Sequence, residues 1–148
     1  MRSLPFSAKA EYACIAMLEL AARYGDPQPV RLKAIAEAHH IPQRFLVQIL
    51  LQLKGSGLVV SARGAAGGYL LARSPKAITL ADVLNVLERH DRPPAGRLSD
   101  GGPPSPLVES LRGVWKELQA SQQRILEETT LDELVQRSRE GQSLTYHI

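Results

Sequence analysis

The stretch from Ile41 to Arg73, IPQRFLVQILLQLKGSGLVVSARGAAGGYLLAR, constrains this chain more than any other. Leu46, Ile49, Leu50 and Leu53, with Phe45, recur at helical spacing and predict an inward-facing stripe on a helix from Pro42 to about Lys54. Pro42 suits the first turn, where its missing N–H would be unpaired anyway. Gly55-Ser56-Gly57 ends that helix, and two short apolar runs follow, Leu58–Val60 and Tyr69–Leu71, around a turn of glycine and alanine. A phosphate-binding loop would need a glycine pattern opening into a helix. Here Gly64, Gly67 and Gly68 run into strand-like YLL, so the reading is a β-hairpin.

Upstream, Leu32, Ile35 and Ala36 mark a short helix from Leu32 to His39, separated from the Pro42 helix by a brief break. Two short helices joined by such a turn, then a hairpin, give the order of a winged helix-turn-helix. Before them, Ser7 caps a helix from Ala8 to about Tyr24, stopped by Gly25-Asp26-Pro27. Only Glu19 is charged between Tyr12 and Ala22, so most of that helix must be covered by another segment or a second subunit.

Thr79 and Asp82 form a capping box for a helix to about Arg89. The segment from Arg92 to Pro106 then carries five prolines and three glycines, a composition that predicts a mobile loop. A long helix follows, from about Leu107 to Glu128, with Leu107, Leu111, Val114, Trp115, Leu118, Ile125 and Leu126 three or four residues apart apart from one gap at Gln122. Thr130 and Glu133 open a last helix through about Arg139. The expected fold class is mainly α, a winged helix-turn-helix head with a long C-terminal dimerisation helix. Its divisions are a head at 1–90, a flexible loop at 91–106, and the dimerisation and C-terminal helices at 107–148.

Charge is weak evidence in total, at +3, but not in distribution. Residues 1–78 hold ten Lys or Arg against four Asp or Glu, a balance of +6, whereas residues 79–148 hold eight against eleven, a balance of −3. A polyanion would bind the first half. No apolar run reaches the roughly 20 residues that cross a bilayer, and the N-terminus lacks the apolar core of a signal peptide, so a cytoplasmic protein without membrane partners is expected. The single cysteine, Cys14, lies among apolar neighbours and reads as an inert thiol. His39 and His40 point to different helix faces, His90 and His147 lack ligand-like neighbours, and no nucleophile stands beside a base. Neither a metal site, a cofactor nor an enzyme is expected.

The chain resembles the Rrf-two family of bacterial winged-helix transcription regulators. The resemblance rests on Ala8-Lys9-Ala10-Glu11-Tyr12-Ala13, IPQRFLVQILLQLKGSGLV, SARGAAGGYLLAR, ITLADVLNVLE and TTLDELV, and is most specific over GLVVSARGAAGGYLLAR. It implies a homodimer that binds promoter DNA sequence-specifically, and a repressor role. Many members hold an iron–sulfur cluster with cysteines in the loop before the long helix. This chain has none there, and where some members carry C-x-x-H-x-x-W it has Glu109, Arg112 and Trp115 at the C, H and W positions. No cluster is therefore expected.

On this reading Gln43, Arg44 and Gln48 meet base edges, since Arg matches guanine and Gln matches adenine in the major groove. An ordinary solvated helix face would carry the same residues. Val47 stands where some relatives are acidic, which implies a different target sequence. Arg63 and Gly64 mark the wing, with arginine reaching a minor groove and the glycines letting backbone approach the sugar-phosphate wall; a plain tight turn is the alternative. Lys9, Tyr12 and Arg31 are phosphate contacts, although Tyr12 also suits a core. Leu107, Leu111, Trp115, Leu118 and Ile125 form the dimerisation seam, for which an intramolecular core helix is the alternative. An unidentified small molecule or protein could act as effector. The competing function is an interaction module that regulates an enzyme partner, as some members of the family do.

Overall fold

A computed structural model of the chain describes residues 6–63, 67–88 and 105–146. The Arg92–Pro106 loop reading falls mostly outside these residues, as does Gly64. In order, α1 spans Ala8–Ala22, α2 Leu32–His39, α3 Gln43–Gly55, β1 Val59–Ala62, β2 Gly68–Leu71, a 3₁₀ turn Pro75–Ala77, α4 Leu80–Glu88, α5 Pro106–Glu128 and α6 Leu131–Tyr146. No helix among the described residues is long and apolar enough to cross a membrane.

α1 is the centre of the core. Its Ala10, Ala13, Ala16, Met17, Leu20 and Ala21 are buried, and α3, α4, α6 and β2 all pack on it. The apolar excess that the sequence left uncovered is thus met largely within the chain, by the C-terminal helix among others: Leu131 and Val135 of α6 belong to the same cluster as Met17. α1 ends two residues earlier than expected, at Ala22. Arg23 becomes its C-cap, and Gly25 takes the left-handed conformation that reverses the chain.

Side chains close the helix ends as their sequences predict. The Ser7 hydroxyl accepts from the Ala10 amide at 3.2 Å. Thr79 and Asp82 exchange reciprocal bonds, the Thr79 amide donating to Asp82 Oδ2 at 2.9 Å and the Asp82 amide to Thr79 Oγ1 at 3.1 Å. Thr130 caps α6 through the Glu133 amide at 3.1 Å. α6, however, runs on to Tyr146 rather than stopping near Arg139. Gly141 lies within it without breaking it, because a helical glycine costs only about 1 kcal/mol and is no stop unless the backbone turns left-handed.

β1 and β2 pair antiparallel, with Val59 opposite Leu71 and Ala62 opposite Gly68. An isolated antiparallel bridge adds to this two-stranded sheet. Val30 and Tyr69 exchange backbone bonds of 2.9 and 2.8 Å, so the chain just before α2 is stitched to the wing. A similar bridge joins Thr79 to Thr130, with the Leu80 amide donating to the Thr129 carbonyl and the Leu131 amide to the Ile78 carbonyl, both at 3.0 Å.

Candidate nucleic-acid interface

α3 buries one face completely. Leu46, Ile49, Leu50 and Leu53 are all fully covered. The opposite face turns outward, with Arg44, Gln48 and Leu51 at i, i+4 and i+7 along its ridge and Gln43 and Val47 beside it, all exposed. No acidic residue occurs on this helix. Gln43 and Arg44 sit in its first turn, the end that also offers unpaired backbone amides.

Phe45 departs from expectation. Helical spacing puts it on the inward stripe, yet it is 45 % exposed, and the Arg44 guanidinium carbon lies 4.9 Å from its ring centroid. The four fully buried side chains already fill the core-facing arc, and Phe45 falls at its margin. Arginine covers the outer face of the ring, an arrangement that favours both partners and holds the guanidinium at the helix surface.

Arg63 follows the last residue of β1 and is exposed, so the wing displays a cation on the same hairpin that succeeds α3. Gly68 has a different role from the one the sequence suggested for the wing glycines. A Cβ there would run into the Val30 carbonyl, 2.6 Å from its carbon, so this glycine serves an approach inside the protein. Arg31 is exposed at the N-cap of α2, and Lys9 is half-buried near the start of α1. Tyr12 is half-buried and packs against the core cluster.

Sequence reasoning missed a polar cluster at the junction of α1 and α2. His39 Nε2 lies 2.8 Å from Glu19 Oε1, and Arg23 Nε donates to Glu19 Oε2 at 2.7 Å. Burial pushes the Glu19 carboxyl up, but the hydrogen bonds from Arg23 and His39, and then their charges, outweigh it and hold the group below its ordinary value. The Glu19–Arg23 spacing of four was a visible signal; the His39 contact, twenty residues away, was not.

α5 has no buried residue among those described. Leu107 is 84 % exposed, and Leu111, Val114, Trp115, Leu118 and Ile125 are exposed with it, whereas Leu126 packs on the core. Glu109 and Arg112 are paired at 2.9 Å on this helix, and Arg112 Nε and Nη2 are covered without an acceptor.

A buried-faced helix-turn-helix, an outward basic helix and a flanking two-stranded wing define the winged-helix class of transcription regulators. The chain belongs to the Rrf2 (Rrf-two) family: residues 6–137 match the family model described as "Iron-dependent Transcriptional regulator". It is 36 % identical over 138 residues to the HTH-type transcriptional regulator CymR of Bacillus subtilis, covering 88 % of this chain and 89 % of the relative. The structure of CymR, the global cysteine regulator of B. subtilis, superposes with a TM-score of 0.77 at 33 % identity, covering 91 % of this chain and 98 % of that one. That of T. potens IscR gives 0.76 at 34 %, over 95 % and 92 %. The family is one of transcriptional regulators and not of enzymes.

The family description raises iron, and the donor set can be tested against it. The chain holds one cysteine. Cys14 is half-buried on α1, where burial and then the Glu11 carboxylate push its thiol up to about 11. Among the described residues no three His, Cys, Asp or Glu side chains gather as metal ligands. A cluster held by several thiolates does not fit this chain.

Proposed function

We propose that this protein is a cytoplasmic, homodimeric repressor that binds promoter DNA sequence-specifically and works without an iron–sulfur cluster. The observation that carries the reading is the outward face of α3, free of acids, where Gln43, Arg44 and Gln48 are exposed, together with an exposed arginine, Arg63, on the wing that follows. In a major groove Arg44 reads guanine and the glutamines read adenine, each bidentate pair giving roughly 1–3 kcal/mol of discrimination. Arg63 enters the adjacent minor groove, and Lys9, Tyr12 and Arg31 position the head on phosphates.

The dimer follows from α5. Leu107, Leu111, Trp115, Leu118 and Ile125 lie exposed along a single helix, and each would contribute on the order of 1 kcal/mol once half its surface is covered by a twin. Two heads joined this way present their α3 helices to successive major grooves, about 34 Å apart, and require a pseudo-palindromic operator. Occupying such a site within a promoter blocks transcription.

Binding-site selection from random duplexes, followed by anisotropy titration, tests the reading. Arg44→Ala should relax sequence preference, and Arg63→Ala should weaken all sequences and flatten the salt dependence. Equal affinity for wild type and both variants would remove it. A Trp115→Asp, Leu118→Asp double variant should sediment as a monomer and lose operator binding. Retention of a stoichiometric enzyme partner, with no operator selected, would favour the interaction-module reading instead. Visible absorption bands after anaerobic purification would overturn the cluster-free assignment.

A further inference from the structure

The outward face of α3 is not only polar. Val47 is 38 % exposed and Leu51 is 53 % exposed, one helical turn apart on the side of the ridge that carries Arg44. Neither belongs to the core cluster or to the side chains packed on it. Phe45, the other exposed apolar residue of this helix, is engaged with Arg44. Two branched aliphatics are thus left facing outward between Arg44 and Lys54, on a helix without a single carboxylate.

The floor of a major groove presents hydrogen-bond donors, acceptors and one apolar feature, the 5-methyl group of thymine. An aliphatic side chain set against a cytosine amino group or a purine acceptor strips its water and returns no hydrogen bond, which is unfavourable. Set against a thymine methyl it buries apolar surface on both partners. We infer that Val47 and Leu51 are specificity-determining residues that read thymine methyl groups. This rests on the reading that α3 enters a major groove. Four residues of helix span about 6 Å, or roughly two base-pair steps, so the two methyl contacts fall within about three consecutive base pairs. Arg44, one turn before Val47, places a guanine next to them. Each half-site should therefore hold a guanine with the thymines to one side of it, at fixed positions.

The test uses the full chain and its selected operator, with each thymine replaced in turn by deoxyuridine, which deletes only the methyl group. Loss of one methyl contact should weaken binding about fourfold, and symmetric loss in both half-sites about fifteenfold. Val47→Ala should abolish the penalty at one position and Leu51→Ala at the other, each leaving the remaining penalty intact; Val47→Ile should preserve it. Both side chains are exposed, so thermal unfolding of the variants should match wild type, which separates reading from folding. Selective operator binding that ignores every deoxyuridine would overturn the methyl reading alone, as would penalties that persist unchanged in both alanine variants. Binding no tighter to any selected duplex than to scrambled DNA would bring down the DNA-reading role of α3 itself, and this inference with it.

Discussion

Gly68→Ala is the substitution whose cost the structure specifies most sharply. The added Cβ would collide with the Val30 carbonyl, and the residue sits at φ +156°, which L side chains rarely adopt. The obstacle is backbone, so no rotamer change relieves it. The φ strain of about 1–3 kcal/mol remains whatever the neighbour does, and relieving the collision moves the Val30 segment away, so that two hydrogen bonds of 2.9 and 2.8 Å are lost, about 1 kcal/mol each. The two costs add to roughly 3–5 kcal/mol, or about 10–15 °C in Tm for a chain of this size. Gly57 provides the internal comparison. It also has positive φ, +83°, but an added Cβ meets nothing within 4 Å, so Gly57→Ala should cost only about 1–2 kcal/mol. Urea and thermal unfolding followed by circular dichroism would measure both. If Gly68→Ala proves no more costly than Gly57→Ala, the close approach of Val30 to the wing is not what makes glycine necessary, and the argument fails.

The Cys14 thiol, pushed up to about 11 from an ordinary 9.0, should carry about a hundredfold less thiolate than an exposed cysteine and react with a disulfide reagent correspondingly slowly until the chain unfolds. Because the folded state keeps the thiol neutral, stability present below pH 9 should decline as pH rises toward 11, and Cys14→Ala should remove that slope. Glu19 has the opposite sign. Its carboxyl is held below its ordinary 4.5, so its contribution is present above that value and is lost as pH falls through the folded value. Glu19→Gln should cost about 0.5–1 kcal/mol at neutral pH and progressively less as pH falls below 4.5, as read by thermal unfolding.

What could be read from the sequence was local. The limits of α2, the serine cap of α1 and the threonine caps of α4 and α6 each rest on residues close in sequence, and the three caps carry their side-chain hydrogen bonds in the structure. The hairpin was legible because two apolar runs flank a turn composition. Apart from the C-terminal ends of α1 and α6, the misses involve distance or competition. Whether Phe45 or Leu46 faces the core depends on what fills the arc between them, which periodicity alone does not say. The His39 contact to Glu19 and the Val30 bridge to Tyr69 join segments whose approach only the packed fold creates. The same holds for Gly68, whose reason lies in Val30 and not in the turn it borders.

These long-range ties also decide how a signal or a load could pass through the molecule. α3 packs on α1, α2 and α4 and puts its four covered leucine and isoleucine side chains into the common core, and the wing is fixed to the chain before α2 by the Val30 bridge. α5 rests on α4, and where it ends the Thr129–Leu131 segment is bonded to Ile78 and Leu80 at the start of α4. The exposed seam of α5 and the exposed face of α3 are therefore parts of one hydrogen-bonded and packed body. Two such bodies joined along α5 would hold their α3 helices at a separation set by the core itself, so a mutation that loosens the Thr79–Thr130 bridge should broaden the operator spacings accepted without altering the bases that α3 prefers.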